Sequence, residues 1–360
     1  MAGYKPVTGN SQSSFKGGNT MIRLIKHASG IMLGLLFSST ASAQVTGTLE
    51  RISVFGPSLA GNLLDQPDAP EVSVYLPPGY AANPDQRYPV VYVLHGYNGS
   101  DDSWFGNESR MKANLTADKV MGEGTSEEMI LVMPNCNNLF NGCMYVNSAA
   151  TGYWEDYIAD DLVGYIDSHY RTIPDRRARG LAGHSMGGYG VMLIGMRRPD
   201  VFSALYAMSS CCLNEYAPQG GERALAMEQI KTMDDLDRGA LRTFAVTAAW
   251  SPNPDKPPFY LDLPTRDGEV VPEYAGRFAA NSPQAMLPSH VGSLLKMTAI
   301  TMEVGEQDGL ITANRTLSDT MTRYGLAHDF LTYEGDHGNR IAERFGTHAL
   351  PFFSKHLRRH

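Results

Sequence analysis

Several classes of protein are excluded by features that this 360-residue chain lacks. It has no apolar run of about 18 or more residues, which excludes a membrane-spanning bundle. It has no G-x-x-x-x-G-K-S/T loop, so nucleotide hydrolysis of that type is not expected. No group of His, Cys and Asp residues has metal-ligand spacing. The sequence therefore predicts no metal site.

Positive charge is also scarce. The chain has 30 Lys and Arg residues against 38 Asp and Glu residues, which gives a formal net charge of −8. Residues 1–43 hold four of the positive charges and no acid, so the rest of the chain is more acidic still. An acidic body repels phosphate backbones, and we expect no nucleic-acid partner. Hydrophobic residues make up 42% of the chain, which is enough for a substantial core.

The N-terminus is typical of an export signal. Residues 21–43 have a positively charged start, a short apolar stretch and a small-residue cleavage site at Ala43-Gln44. An N-terminal helix of the fold is the alternative interpretation. Residues 1–20 are rich in Gly, Ser and Asn and are predicted to be a disordered extension. The mature protein would be residues 44–360, secreted or periplasmic, and without a membrane anchor because no Cys lies at the cleavage site.

Only four cysteines are present. Export would place them in an oxidising compartment, where cysteines tend to pair. Pairing Cys136 with Cys143 closes a short loop and is the pairing we favour. It leaves the adjacent Cys211 and Cys212, whose bond would be strained, so cross-pairing between the two clusters stays open. None of the four lies in a recognisable Cys–His arrangement, and no catalytic cysteine is expected.

Along residues 44–360, short apolar runs alternate with helical patterns such as Asp156–His169. This alternation is typical of an α/β protein with a mostly parallel sheet and helices on both faces. Residues 213–297 break the alternation, and we interpret them as a cap-like insertion between two strands. A plain crossover helix with a long loop is the alternative. The predicted strands are Glu71–Leu76, Pro89–Leu94, Met129–Met133, Ala178–Ala182, Ser203–Met208, Ala299–Val304 and Asp329–Tyr333.

The strongest motif is Gly183-His184-Ser185-Met186-Gly187, a G-x-S-x-G pattern between a predicted strand and a predicted helix. Its glycines permit a strand-to-helix turn that would crowd a β-carbon on either side of the serine. Such a turn lifts the Ser185 hydroxyl above the sheet. The helix N-terminus behind it offers unsatisfied N–H groups. The pattern therefore predicts Ser185 as a nucleophile.

A serine nucleophile needs a base within hydrogen-bond reach and an acid that orients the base. One known chain order for such a triad is serine, acid, histidine. His337 lies in a Gly-flanked loop after the last predicted strand, and it is the predicted base. Asp308 lies in the loop after the preceding strand and is the predicted acid, with Glu306 as its rival. The other downstream histidines are predicted to be structural.

Attack by serine creates an oxyanion that needs N–H donors. One donor is assigned to the backbone of Met186, directly after the predicted nucleophile. The other is assigned to Tyr97, in the loop after an early strand, where Gly96 lets the backbone approach the site. His95 is interpreted as a turn-stabilising side chain. Four aromatic residues are candidate walls of a pocket for an aromatic or sugar ester: Trp104, Trp154, Tyr189 and Trp250.

Taken together, these segments resemble the putative-esterase branch of the α/β-hydrolases, which includes esterase D, feruloyl esterases, enterochelin esterases and mycolyltransferases. The resemblance runs from about residue 71 to the C-terminus, apart from the insertion. It implies an α/β-hydrolase fold with an eight-stranded sheet, and serine ester hydrolysis without a cofactor. It also maps Ser185, Asp308 and His337 onto the triad. The matching pieces are Tyr88–Gly96, Gly99-Ser100, Trp104, Tyr157–Thr172, Gly183–Gly188, Gly305–Asp308 and Asp336–Gly338.

The expected function is a secreted serine carboxylic ester hydrolase that acts through an acyl-enzyme. Its expected partner is a small-molecule or carbohydrate-linked ester, of the feruloyl, acyl-carbohydrate or short-chain type. Export argues against S-formylglutathione hydrolase, a cytosolic enzyme in this family. The alternatives are an acyltransferase of the mycolyltransferase type, a polyester-degrading esterase, a peptidase, or a non-catalytic binding module on the same scaffold.

Overall fold

A computed structural model describes residues 46–106, 109–214 and 219–359. The predicted extension and signal peptide lie outside these residues. Eight strands of the described chain form one sheet: β1 (Thr48–Ser53), β2 (Glu71–Leu76), β3 (Val90–Leu94), β4 (Ile130–Pro134), β5 (Arg179–His184), β6 (Ala204–Met208), β7 (Ala299–Gly305) and β8 (Asp329–Tyr333). Their order across the sheet is β1-β2-β4-β3-β5-β6-β7-β8. β2 pairs antiparallel with β1 and β4, and all other neighbours are parallel.

The predicted fold class is confirmed: the sheet has eight strands, is mostly parallel and carries helices on both faces. All seven predicted strands are present within a residue or two of their expected ends. β1 was not predicted, because its sequence, TLERIS, has only two apolar residues, which stand three positions apart, and so lacks both a continuous apolar run and the alternation typical of a strand. It lies at the edge of the sheet and is mostly exposed.

Helices surround this sheet, and two of them contain a π-helical stretch. They are α1 (Ala113–Gly122), α2 (Trp154–Asp156, the π-helical Tyr157–Leu162, and Val163–His169), α3 (Met186–Arg197), α4 (Glu222–Glu228), α5 (Arg238–Trp250), α6 (Pro272–Ala279), α7 (Pro283–Leu294), α8 (Ile311–Arg323) and α9 (Ile341–Arg344, the π-helical Phe345–Ala349, and Leu350–His356). None of the described helices is long and apolar enough to cross a membrane.

The two faces of the sheet bury separate hydrophobic clusters. In β3 the side chains of Val90, Tyr92 and Leu94 pack into the cluster shared with α2, α3 and α7. The alternate residues Val91 and Val93 pack into the cluster shared with α1 and α9. A strand turns successive side chains to opposite faces, so a continuous apolar run fits a strand covered on both sides. This packing fixes the strand ends from which the site is built.

Residues 213–297 lie between β6 and β7, which are parallel neighbours in the sheet. They contain α4 to α7 and a small hairpin of Thr265–Arg266 with Glu269–Val270. Side chains of this segment, among them Phe244 and Phe259, form a third hydrophobic cluster with Phe140, and the Tyr97 ring packs against it. The segment therefore contacts the loop that carries Tyr97. Its action as a cap stays a prediction.

Candidate active site

Ser185 stands at the junction of β5 and α3 in a rarely used backbone conformation. Its φ is 59° and its ψ is −114°, a combination that costs energy for a residue with a side chain. Two backbone hydrogen bonds hold it there. The Ser185 N–H donates to the Met208 carbonyl at 2.9 Å, and the Cys211 N–H donates to the Ser185 carbonyl at 3.1 Å. The end of β6 thus fixes the turn that presents the hydroxyl.

Glycine is required on both sides of this turn because the backbone segments approach closely. A β-carbon on Gly183 would lie 2.5 Å from the Gly187 carbonyl carbon. A β-carbon on Gly187 would overlap the Leu94 carbonyl group at the end of β3. The two glycines of the motif therefore pack helix α3 against the sheet, as the sequence pattern indicated.

Three side chains from distant parts of the chain meet at this edge of the sheet. The Ser185 Oγ–H donates to His337 Nε2 at 3.0 Å, and the His337 Nδ1–H donates to Asp308 Oδ2 at 2.8 Å. The imidazole therefore lies between a hydroxyl that it can deprotonate and a carboxylate that fixes its tautomer. This is the geometry that a serine nucleophile needs.

Asp308 is held in the turn between β7 and α8. Its side chain is only 2% exposed. Its second carboxylate oxygen, Oδ1, accepts the Leu310 N–H at 2.9 Å. Both oxygens therefore have a donor, which makes burial of the charge tolerable. The orientation of the carboxylate is fixed before any substrate binds.

The two other nearby acids point elsewhere. Glu306 is exposed, and its carboxylate accepts the Thr332 hydroxyl at 3.4 Å. Asp336 accepts the N–H groups of Gly338 and Asn339, both at 2.9 Å. These two backbone donors lower the pKa of Asp336. The acid that contacts His337 is Asp308.

The His337 side chain is 43% exposed, so its loop is fixed by bonds rather than by packing. The Gly335 N–H donates to the Gln307 side-chain oxygen at 2.6 Å, and the Gln307 N–H donates to the Gly335 carbonyl at 3.0 Å. These two bonds tie the loop after β8 to the loop after β7. The loops that carry His337 and Asp308, the predicted base and acid, are therefore hydrogen-bonded to each other.

The backbone N–H groups of Tyr97 and Met186 have no hydrogen-bond acceptor among the described residues. Met186 is the first residue of α3, where helix N–H groups have no intrahelical partner. Gly96 brings the other loop close, since a β-carbon on it would lie 3.4 Å from the Ser185 β-carbon. Asn98, which follows Tyr97, donates its N–H to the Asn141 carbonyl at 2.8 Å and so fixes the loop.

His95 braces this loop from inside. Its Nε2 accepts the Cys136 N–H at 3.0 Å, so the ring hydrogen is on Nδ1, which donates to the Gly96 carbonyl at 2.9 Å. The Tyr145 hydroxyl donates to the His95 carbonyl at 2.9 Å. These contacts fit the interpretation of His95 as a turn-stabilising residue.

His184 was not singled out by the sequence, where it is only the variable position of G-x-S-x-G. Its Nε2 lies 2.7 Å from the His337 carbonyl oxygen, and the two imidazole rings are 4.7 Å apart. Burial, and after it the neighbouring His337, lower the pKa of His184 to about 4. No local pattern could have found this contact, because its partner is 153 residues away.

The four aromatic residues predicted as pocket walls are all buried in the hydrophobic core. At most 4% of each is exposed. Trp104 is on the α1/α9 face of the sheet, with its ring 5.3 Å from that of Phe345. Trp154 donates its indole N–H to a backbone carbonyl, and Tyr189 packs 5.7 Å from Trp250. Large aromatic rings are buried more often than they line a site, and the assignment of these four to a substrate pocket stays a prediction.

All four cysteines are free, so the structure does not show the predicted disulfide. Cys136 and Cys143 are both buried, and their thiols lie close enough to interact. The Cys211 and Cys212 sulfur atoms lie 2.9 Å apart. Each cysteine therefore has its nearest thiol within its own cluster.

One cavity of about 530 Å³ lies inside the 213–297 segment. Phe244, Phe259 and Tyr274 line it together with Lys231 and Arg266, and no triad residue does. Over the part of the chain that the structure describes, no group of three His, Cys, Asp or Glu side chains is arranged to hold a metal ion.

Comparisons with known proteins also point to an esterase. The model of the esterase family, described as "Putative esterase", matches residues 67–341. An endo-1,4-beta-xylanase/feruloyl esterase of Xylanibacter ruminicola is 33% identical over 135 residues, which cover 36% of this chain and 18% of that protein. The matches span less than half of the length of the curated relatives.

Solved structures show the same fold. A ferulic acid esterase superposes with a TM-score of 0.60 at 23% identity, over 86% of this chain and 98% of its own. An S-formylglutathione hydrolase from Staphylococcus aureus superposes with a TM-score of 0.58 at 17% identity, over 86% of this chain and 99% of its own. With a family match over most of its length and this sheet, the chain belongs to the esterase family and has the α/β-hydrolase fold.

Proposed function

We propose that this protein is a serine carboxylic ester hydrolase that works through an acyl-enzyme. The observation that carries the proposal is the hydrogen-bonded series from Ser185 Oγ through His337 to Asp308, with distances of 3.0 and 2.8 Å. Ser185 is the nucleophile, His337 is the general base and acid, and Asp308 orients the imidazole and stabilises its protonated form.

The reaction has two halves that use the same groups. His337 Nε2 takes the proton of Ser185, whose oxygen attacks the ester carbonyl carbon. The tetrahedral intermediate collapses, the bond to the alcohol oxygen breaks, and His337 returns its proton to the leaving alcohol. Water then attacks the acyl-enzyme with His337 again as base, which releases the acid and restores the serine.

Charge develops on the carbonyl oxygen in both halves, and the Tyr97 and Met186 N–H groups are its proposed donors. Two features support this role. Neither amide has an acceptor among the described residues, and Gly96 brings the Tyr97 loop against Ser185. Donors that are already oriented stabilise the oxyanion without reorganisation, which is a large share of the rate enhancement in such enzymes.

The proposed substrates are feruloyl, acyl-carbohydrate or short-chain esters. The support is the sequence similarity to part of a xylanase/feruloyl esterase, together with the fold shared with a ferulic acid esterase. Export and a Cys136–Cys143 disulfide are part of the same proposal. Counting free thiols by mass spectrometry in the protein purified from its native compartment tests the disulfide: two thiols are expected, and four would contradict it.

The test of the function is turnover of p-nitrophenyl acetate and methyl ferulate by the folded protein. We expect Ser185→Ala to lower kcat/KM by on the order of 10³ or more, because the hydroxyl forms the covalent bond. Ser168→Ala, on the exposed side of α2, is the matched control and should keep wild-type rates. Equal rates for the Ser185 variant and the wild type would refute the proposal.

A further inference from the structure

His184 and Ser185 both form hydrogen bonds with His337, the proposed base. These two consecutive residues contact a single partner: the Ser185 hydroxyl contacts the His337 ring at 3.0 Å, and His184 Nε2 contacts the His337 backbone oxygen at 2.7 Å. A carbonyl oxygen can only accept a hydrogen bond, so His184 Nε2 carries the hydrogen. The C-terminal end of β5 is thus hydrogen-bonded to both the side chain and the backbone of His337.

The His337 loop needs such an anchor. Its side chain is 43% exposed, and the two hydrogen bonds that join the loop to the turn after β7 through its backbone are made at Gly335, two residues earlier. Bonds within the loop, such as those that Asp336 accepts from Gly338 and Asn339, shape the turn but do not set its distance from β5. The contact with His184 joins the backbone of residue 337 directly to β5, whereas the contact with Ser185 involves only its ring.

The surroundings of His184 leave its ring little freedom. On one side its ring lies 4.7 Å from the His337 ring, at an interplanar angle of 43°. On the other side, a β-carbon on Gly96 would be 3.6 Å from His184 Nδ1. The ring therefore lies between the loop of the base and the loop that carries Tyr97. A substitution at this position changes the spacing between these two loops.

We propose that His184 is a positioning residue of the reaction: by donating its Nε2 hydrogen to the His337 carbonyl, it sets the distance between Ser185 and His337. The expected effect on kcat rests on the proposed function. The expected effect on the distance between Ser185 and His337 rests on the geometry alone. His184 touches no reacting atom, so its effect is on the alignment of the proton transfer. Misplacement of a catalytic group by about 1 Å costs on the order of 10²-fold in rate.

The test compares His184→Leu, which removes the donor, with His184→Gln, whose side-chain amide can reach the same carbonyl. We expect the Leu variant to lose about 10- to 100-fold in kcat for p-nitrophenyl acetate, with KM changed by less than about threefold. The Gln variant should recover most of kcat. If the Leu variant is insoluble, His184→Asn, whose amide is too short to reach, replaces it.

His328→Leu is the matched control. His328 donates its Nδ1 hydrogen to the Leu326 carbonyl, in the turn after α8, and accepts the hydroxyl of Ser318, on α8, at Nε2. None of these contacts involves Ser185, His337 or Asp308. Loss of the His328 ring should lower stability without changing kcat or KM. A purely structural role for His184 predicts the same result for the His184→Leu protein, and that result would overturn the proposal. Equal impairment of folded Gln and Leu variants would also overturn it.

A readout without turnover separates this inference from the proposed function. The His337 Nδ1–H bonded to Asp308 gives a low-field proton resonance, which should persist in the Gln variant and be lost or broadened in the Leu variant. An unchanged resonance in the Leu variant contradicts the positioning role, whatever the activity. Absence of any ester turnover in the wild type, with the expected NMR result, contradicts only the function.

Discussion

The ionisable residues of the site differ in their exposure to solvent, although they contact one another. Asp308 is buried and receives two hydrogen bonds, while the His337 ring is almost half exposed and can meet a substrate from solvent. His184 lies under His337, where burial and the neighbouring imidazole disfavour a second positive charge. At the scale of single residues, the site is arranged so that one of its two histidines can become charged while the other stays neutral.

This arrangement predicts an acid-sensitive stability. The pKa of His184 falls from 6.5 to about 4 in the folded protein. Between these pH values the unfolded chain binds a proton that the folded protein does not, so stability is lost as the pH falls from about 6.5 to about 4. The loss from this group is at most about 3 kcal/mol, and less to the extent that water reaches the ring.

His184→Gln has no titrating ring and provides the comparison. Urea unfolding at pH 7 and pH 4.5 should show a larger loss of unfolding free energy for the wild type than for the variant. The groups that face the ring, His337 and Asp308, are present in both proteins. The same loss in the two proteins would show that the ring is not held neutral.

At the scale of elements, the site is formed where four strands end. β5 leads into the turn of Ser185, β3 into the Tyr97 loop, β7 into the turn of Asp308 and β8 into the loop of His337. Parallel strands that end at one edge bring their loops together, so residues far apart in the chain become neighbours. The precision of the site therefore depends on the close contact of α3 with these strand ends.

Gly187→Ala tests that contact. Its β-carbon would overlap the Leu94 carbonyl, so β3 and α3 would have to separate. We expect a clear loss of unfolding free energy and of ester turnover, measured by urea denaturation and with p-nitrophenyl acetate.

Gly164→Ala is the matched control, because no atom outside its own helix lies within 4 Å of the added β-carbon. It should leave activity unchanged and raise stability by up to about 1 kcal/mol, as alanine favours helix. A Gly187 variant as stable and active as the Gly164 variant would show that the close contact is unimportant.

Much of this arrangement could be predicted from the sequence, because its signals are local. The run VVYVL predicted a strand buried on both faces, and G-x-S-x-G between strand and helix predicted the turn of Ser185. The burial of Trp104 and Trp154 could not be predicted, because the neighbouring residues in the sequence do not show which face of the sheet each ring packs against. The contact of His184 with His337 depends on two loops meeting, which no local pattern encodes.

At the scale of the whole molecule, a buried ion pair links the sheet to the C-terminal helix. Arg344 on α9 donates to Glu303 on β7 from Nε at 2.9 Å and from Nη2 at 2.6 Å. The Tyr206 hydroxyl on β6 donates to the same carboxylate at 2.8 Å. The side chain of Glu303 is fully buried and that of Arg344 is 9% exposed. Glu303 lies in the strand that leads to Asp308, so this cluster also supports the site.

Arg344→Met should therefore be strongly destabilising, by about 3–5 kcal/mol, because it leaves the Glu303 charge buried without its cation. The double variant with Glu303→Met should recover a large part of this loss. Arg359→Met, which removes an exposed pair with Glu127, should cost less than about 1 kcal/mol. Urea denaturation measures all three. A loss for Arg344→Met no larger than that for Arg359→Met would contradict the role assigned to the pair.

The measurement that tests the central claim most directly is covalent labelling by a fluorophosphonate, followed by mapping of the modified peptide. The folded wild-type protein should take up one equivalent of the probe, bonded to Ser185 Oγ, and Ser185→Ala should take up none. His337→Ala should be labelled far more slowly, because the hydroxyl has then lost its base. Modification at a different residue, or no modification of folded wild-type protein, would contradict the account.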